Sequence, residues 1–148
     1  MPKQPYRVVL DTNEVVGAGT GWLDYGVPAP DKNTHRRVLL RVAESHIGLY
    51  SDKIVGEYLE KLVALNHPKD RALKLMIYIM GAFLEVKVST RNAPVQPSDP
   101  DDEIFLLCAI DGNADYLVSE DGHLMAIKAS YTKPVIGNSV ELEPILCL

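Results

Sequence analysis

Short apolar runs alternate along the chain with longer segments whose apolar residues recur at helical spacing. The short runs predict strands, at residues 7–10, 48–50, 83–86, 116–118 and 134–136. The longer segments predict helices, at residues 34–43, 51–63, 69–80, 101–110 and 122–128, with a closing helical turn from Ser139. This alternation predicts an α/β fold, a three-layer α/β/α sandwich with a central, mostly parallel sheet of about five strands.

The most informative stretch runs from Ser98 to Asp121. Asp99 precedes a proline, and Asp101, Asp102 and Glu103 then fall in the first turn of an apolar helix. Gly112 and Asn113 favour the end of that helix, and a short strand leads to Asp121. A helix that starts at the carboxyl edge of a parallel sheet can bring Asp102 close to Asp121, at the edge where such sheets bind ligands. Capping acids exposed to solvent remain the simpler alternative.

Two further acids are predicted at the same edge. Asp11 follows the first strand, and Asn13 beside it suits the orientation of a carboxylate, although a turn would favour the same residues. Glu57 lies in the helix after the second strand, among apolar residues that face inward. A carboxylate near a buried face costs free energy unless it is paired or bound to a cation. A half-exposed glutamate with its stem on the core remains an alternative.

Residues 15–33 are rich in Gly and Pro and predict a loop, with at most one helical turn at its start. Trp22 and Tyr25 in this loop could stack on a nucleobase. Aromatic residues more often anchor such a loop on the core or at a subunit contact, which is the interpretation we favour.

Composition narrows the class of protein. The 148 residues form one domain, 1–148, with 47% hydrophobic residues and no run long enough to cross a membrane. No signal peptide is evident, and two cysteines make neither a disulfide framework nor a zinc site, so we expect a cytoplasmic protein. A net charge of −5 argues against a protein that coats nucleic acid, but it allows an enzyme that acts on one.

Carboxylates that converge without histidine or cysteine partners are ligands typical of Mg²⁺ or Mn²⁺. Such ions activate water and neutralise the charge on a phosphate, which supports attack on a phosphodiester bond. The four histidines lack ligand spacing. His123 is near Asp121 in sequence, and we interpret it as a surface or capping residue.

Four motifs taken in order resemble the PIN-domain family. They are V-V-L-D-T-N at residues 8–13, the helix that opens at Ser51 and contains Glu57, D-P-D-D-E-I-F-L at 99–106, and A-D-Y-L-V-S-E-D-G-H-L at 114–124. D-T-N alone is a weak signal, whereas the ordered set is specific and spans nearly the whole chain. The sequence looks most like the bacterial and archaeal PIN proteins described as toxin components of toxin–antitoxin pairs.

The resemblance implies a PIN-like fold and a Mg²⁺- or Mn²⁺-dependent ribonuclease that cuts single-stranded RNA, leaving a 5′-phosphate and a 3′-hydroxyl. It also implies an antitoxin protein as a possible partner, and a homodimer. By the same resemblance the metal-binding and catalytic residues are four acids, Asp11, Glu57, Asp102 and Asp121. The auxiliary residues are Asn13 and Ser119, which orient acids or water, together with Asp99 and Asp101 beside the third acid. Asp102 is preferred to Asp101 because of its helical spacing to Phe105 and Leu106.

The sequence departs from the family pattern at two places. Glu14 stands where an aliphatic residue is usual, and the loop from Gly17 to Asn33 is longer and richer in Gly and Pro. Two rival hypotheses remain. A phosphotransferase of the haloacid-dehalogenase type would need a second acid where this chain has Asn13, and a catalytically silent PIN-like module would bind RNA or protein without cutting.

Overall fold

A five-stranded parallel sheet forms the centre of the computed structural model, which describes residues 4–19 and 33–147. In chain order the strands are β1 Arg7–Leu10, β2 Ile47–Tyr50, β3 Leu84–Glu85, β4 Tyr116–Val118 and β5 Val135–Gly137. Their order across the sheet is β3-β2-β1-β4-β5, and each neighbouring pair is parallel. The carboxyl ends of all five strands therefore meet at one edge. The predicted α/β class and the sheet of about five strands are confirmed.

Seven α-helices connect and cover these strands in the described part of the chain. They are α1 Thr12–Gly19, α2 Thr34–Ser45, α3 Asp52–Ala64, α4 Lys69–Ala82, α5 Pro100–Asp111, α6 Gly122–Met125 and α7 Ser139–Leu146. A short 3₁₀ helix, Lys128–Ser130, lies between α6 and β5. Across the described ranges, no helix combines the length and apolar character that a membrane crossing requires.

The core joins α3 and α5 to the end of the central strand. The three apolar residues that end β1, Val8 to Leu10, are fully buried. Tyr58 of α3 is also fully buried, and its hydroxyl donates a hydrogen bond to the carbonyl of Leu10. Its ring lies 6.3 Å from that of Phe105 in α5. A buried tyrosine usually needs such a partner, so this bond fixes α3 at the point where β1 ends.

The structure differs from the sequence predictions mainly at the ends of elements. Residues 15–19 continue a helix that begins at Thr12, because the amides of Glu14 and Val15 bond to the carbonyl of Asp11. The prediction allowed one helical turn at the start of this segment, and residues 15–19 are helical, while the rest of the predicted loop, with Trp22 and Tyr25, lies outside the described residues. The side chain of Asn33 caps α2 by accepting a hydrogen bond from the amide of Arg36, so the helix begins at Thr34. The closing turn is a helix of eight residues.

The predicted end of α5 is confirmed. The amide of Gly112 donates to the carbonyl of Cys108 over 2.8 Å, and Asn113 takes the left-handed conformation with φ of 54°. This end directs the chain into β4, whose register with β1 pairs Leu10 with Val118. The residues after these two strands consequently lie side by side at the carboxyl edge.

The glycine at position 48 is required by packing, and its replacement is a test of the fold. A Cβ at Gly48 in β2 would lie 2.5 Å from the ring of Phe83. We therefore expect Gly48→Ala to lower the free energy of unfolding by about 1–3 kcal/mol through overpacking. Gly56→Ala is the matched control, because nothing lies within 4 Å of a Cβ added at that position. Alanine is favoured over glycine inside a helix, so this substitution should raise the free energy of unfolding by about 0.5–1 kcal/mol. Urea denaturation measures both, and an equal effect of the two substitutions would contradict the packing.

Candidate metal centre

Asp11 is a buried carboxylate at the end of the central strand. Its amide donates to the carbonyl of Val118, which extends the β1–β4 ladder by one residue. Its Oδ1 accepts from the amide of Thr12 over 2.7 Å, and its Oδ2 accepts from the hydroxyl of Ser119 over 2.7 Å. Burial raises the pKa of Asp11, the charges of Asp121 and Glu57 raise it further, and these two hydrogen bonds oppose the rise.

Ser119 connects Asp11 to Asp121. This serine is fully buried directly after β4, and its Oγ both donates to Asp11 and accepts from the amide of Asp121 over 3.0 Å. Asp121 is the N-cap of α6, where its Oδ1 accepts from the amide of His123 over 2.7 Å. The two acids therefore belong to one hydrogen-bonded unit with Ser119 at its centre.

Asp102 enters the same site from the first turn of α5. Asp99 is the N-cap of that helix, and its Oδ1 accepts from the amide of Asp101 over 3.0 Å. Asp101 is exposed, whereas Asp102 is only 9% exposed. Burial raises the pKa of Asp102 from 3.8 to about 6, with Asp121 and Asp11 adding repulsion and a hydrogen bond from His123 opposing it.

His123 lies between two of the acids, although the sequence favoured a surface or capping role for it. Its Nδ1 is 3.0 Å from Oδ2 of Asp102 and 3.3 Å from Oδ1 of Asp121. The hydrogen bond to Asp102 raises the pKa of His123, which is about half exposed. In the sequence, only its position two residues after Asp121 indicated that His123 could lie near the site. Its contact with Asp102 joins residues 21 positions apart, which the sequence pattern does not reveal. The surface interpretation is therefore incomplete, because the ring belongs to the site.

Glu57 and Asn13 lie at the margin of this group. Glu57 is half-buried in α3, immediately before the anchoring Tyr58, and burial together with the charges of Glu60 and Asp101 raises its pKa. It also contributes to the raised pKa of Asp11, so the two carboxylates act on one another. Asn13 is exposed, and its side chain makes no hydrogen bond to any described residue.

The donor set fits a divalent cation. Within the described ranges, one potential ligand atom from each of Asp99, Asp102 and His123 lies within 4.8 Å of the others. Asp11 and Asp121 add carboxylates that repel Asp102. The hydroxyl of Thr12, next to Asp11, is buried and has no hydrogen-bond partner among the described residues. Carboxylates that lie close together repel one another, and a bound Mg²⁺ or Mn²⁺ ion offsets that repulsion.

A cavity of about 550 Å³ lies at the carboxyl ends of β2 and β3, and none of the acids described above is among its lining residues. Its wall includes the start of α3, which carries Glu57, and Ile104 and Leu107 of α5, which carries Asp102. Three cationic side chains, Lys53, Lys87 and Arg91, line the same cavity. The cavity thus combines positive charge and apolar surface at the carboxyl edge of β2 and β3.

Replacing Asp102 should stabilise the protein when divalent ions are removed. An acid whose pKa rises on folding binds protons more tightly in the native state, so native stability falls as the pH rises from about 4 through 6. Asp102→Asn removes this fall. At pH 8 we expect the free energy of unfolding of the variant to be higher than that of the native protein by about 1 kcal/mol. The difference is small because solvent screens a group near the surface. The difference should vanish near pH 4.

Denaturant titration in chelator at both pH values measures the effect of Asp102→Asn. The matched control is Asp101→Asn, which removes the neighbouring exposed carboxylate and should change stability little. A destabilised Asp102→Asn at pH 8 would show that the hydrogen bond from His123 outweighs the repulsion.

Comparisons with known proteins identify the family. The sequence profile of the PIN domain family matches residues 7–123, a range that includes Asp11, Glu57, Asp102 and Asp121. None of the curated protein sequences matches the chain. The fold is similar to a chain of the crystal structure of VapBC2 from Rickettsia felis bound to a DNA fragment from its promoter. The TM-score is 0.58 at 16% sequence identity, over 89% of this chain and 98% of that chain. Because the profile match covers most of its length, the chain belongs to the PIN domain family.

Proposed function

We propose that the protein is a metal-dependent endoribonuclease that hydrolyses phosphodiester bonds in single-stranded RNA. The observation that carries this proposal is the meeting of Asp11, Asp102 and Asp121 at the carboxyl edge of the sheet, with mutual repulsion among their carboxylates. A bound Mg²⁺ or Mn²⁺ ion would supply Lewis acidity toward the phosphate and a more acidic water. Products with a 5′-phosphate and a 3′-hydroxyl are expected.

The roles of Ser119 and Asp99 follow from their hydrogen bonds, and the other roles follow from the resemblance to the PIN-domain family. Asp11, Glu57, Asp102 and Asp121 would hold the ion. Ser119 orients Asp11 through a 2.7 Å hydrogen bond. Asp99 fixes the first turn of α5, and so the direction of Asp102, by capping the amide of Asp101. Exposed Asp101 and Asn13 are assigned to the rim, where they would orient solvent or substrate.

The cavity at the carboxyl ends of β2 and β3 suits one strand of nucleic acid. Lys53 and Arg91 can contact phosphates, whereas Lys87 is already 3.0 Å from Glu85. The apolar surface of Ile104 and Leu107 can receive an unstacked base. Single-stranded nucleic acid is typically bound by cationic grooves with surfaces on which bases stack. A duplex hides those base faces, so this cavity supports the choice of a single strand.

A toxin role in the cytoplasm with an antitoxin partner is the biological context we propose. The resemblance to toxin components and the fold shared with VapBC2, which binds its promoter, support it. An inhibitory partner should place a basic side chain among Asp11, Asp102 and Asp121, where an unpaired cation would gain three carboxylate neighbours. The toxin role depends on the nuclease proposal, because the antitoxin would inhibit the protein by covering the acids that are proposed to hold the catalytic ion.

A homodimer is proposed through the outer face of α4. Leu73, Ile77 and Met80 recur at helical spacing on that face and are 51%, 70% and 49% exposed. Apolar residues that continue along one side of a helix are typical of a surface that a second subunit covers.

The nuclease proposal predicts loss of RNA cleavage from single acid substitutions. Labelled single-stranded RNAs are incubated with Mg²⁺, Mn²⁺ or chelator. Native protein should cut only with metal, and Asp11→Asn, Asp121→Asn and Glu57→Gln should each reduce the rate at least 100-fold, since a lost ligand weakens ion binding and transition-state stabilisation. The matched control is Glu60→Gln on the exposed side of α3, which should cut normally.

Cleavage that persists in Asp11→Asn would contradict the assigned site. If folded native protein binds these RNAs but never cuts them, the catalytically silent module replaces the nuclease. A labelled duplex of the same sequence tests strand preference, and equal cleavage of both substrates would contradict the single-strand assignment.

The dimer proposal predicts that a charge on α4 separates the subunits. Ile77→Glu should shift the sedimentation of the protein from dimer to monomer, because a buried carboxylate at the interface would lack a partner. Val140→Glu is the matched control on α7, where the side chain is 69% exposed. A native protein that sediments as a monomer at all concentrations would contradict the proposal.

A further inference from the structure

A second polar cluster lies beside the carboxyl edge, apart from the acids assigned above. It contains Glu14 of α1, His35 of α2 and Glu120 after β4, with one potential ligand atom of each within 4.8 Å of the others. It shares no residue with the group of Asp99, Asp102 and His123. None of its three residues belongs to the four acids proposed above to hold the catalytic ion.

Glu14 shows an unsatisfied carboxylate within this cluster. The residue is 1% exposed, and its Oε2 lies 2.6 Å from Nδ1 of His35. Its Oε1 is buried and has no hydrogen-bond partner among the described residues. A buried carboxylate oxygen without a partner is costly, so it calls for a missing proton, water or ion. Burial also raises the pKa of Glu14.

His35 is held with its Nδ1 facing the cluster. The ring lies against Gly17 of α1, where a Cβ would come within 2.5 Å of Cδ2. The same Nδ1 is 3.3 Å from the hydroxyl of Ser139, and that hydroxyl is 3.4 Å from Oε1 of Glu120. Ser139 is fully buried at the start of α7. The nitrogen and the two carboxylates therefore converge from three elements onto one small space.

We propose that Glu14, His35 and Glu120 bind a transition-metal ion of the Zn²⁺ class, at a site separate from the proposed catalytic ion. One imidazole nitrogen with two carboxylates is a ligand set that suits Zn²⁺, whereas the group of Asp102 offers the further carboxylates of Asp11 and Asp121, which suit Mg²⁺ or Mn²⁺. Ligands of tetrahedral Zn²⁺, at about 2.0–2.2 Å from the ion, lie about 3.4 Å apart. The 2.6 Å contact of Glu14 with His35 would open slightly as the ion replaces the shared proton.

The ion would link three parts of the chain. Glu14 lies in the first turn of α1, His35 lies in the first turn of α2, and Glu120 immediately precedes Asp121. Binding at this site would stabilise the native state, because the unfolded chain does not bring these ligands together. The site is assigned a structural role, and it does not depend on the nuclease proposal.

The test is titration of the chelator-treated full-length protein with Zn²⁺, followed by calorimetry and thermal unfolding. Asp102→Asn is titrated in parallel, because it removes one potential ligand from the group of Asp99, Asp102 and His123. This variant should bind Zn²⁺ at the proposed site as the native protein does. Glu14→Gln, His35→Gln and Glu120→Gln should each weaken that binding at least 10-fold. His67→Gln is the matched histidine control, and Cys147→Ser excludes a thiolate ligand. Both controls should bind as the native protein does.

Co²⁺ provides an independent readout of the ligands. The native protein should give visible absorption typical of four-coordinate nitrogen and oxygen ligands, and His35→Gln should lose it. Glu120 is exposed, so Glu120→Gln should fold normally. Its Zn²⁺ affinity therefore tests the proposal even if Glu14→Gln does not fold. Unchanged Zn²⁺ affinity in Glu120→Gln and His35→Gln, or no Zn²⁺ binding by Asp102→Asn, would overturn the proposal.

Discussion

The register between β1 and β4 determines where the central carboxylate lies. Leu10 pairs with Val118, so Asp11 and Ser119 follow their strands at the same level and meet through a 2.7 Å hydrogen bond. The same serine oxygen accepts the amide of Asp121. Shifting either strand by one residue would turn its side chains to the opposite face of the sheet and remove the serine from the acid. The geometry of the site is therefore a consequence of sheet pairing.

The core supplies the stability that this arrangement of charges requires. Burial and repulsion disfavour the ionised forms of Asp11 and Asp102, so the site opposes folding at neutral pH. Tyr58 and Phe105, both buried, hold α3 and α5 against the end of β1. Functional sites commonly retain such local strain because surrounding packing compensates for it. A cation that relieves the repulsion would thus add stability as well as reactivity.

Sequence patterns were sufficient where a property depends on neighbours along the chain. The five strands and the buried face of α5 follow from apolar periodicity, which also distinguishes Asp102 from exposed Asp101. The contact of His123 with Asp102, and that of Glu14 with His35, each join residues 21 positions apart, and periodicity carries no information about such pairs. The glycines after Val15 favoured a loop with at most one helical turn at its start, whereas Thr12–Gly19 forms a helix of eight residues, because tertiary context overrides local propensity.

Three consecutive residues after β4 connect different elements. Ser119 contacts Asp11 at the end of β1, Glu120 contacts Ser139 at the start of α7, and Asp121 caps α6. Displacement of any one of them would move its neighbours, since a single short segment carries all three. The two polar clusters therefore lie next to one another along this segment without sharing a residue. A potential ligand atom of Glu14 lies within 4.8 Å of one of Glu120, which immediately precedes Asp121, so a substitution at Glu14 would act on the segment that also carries the acid.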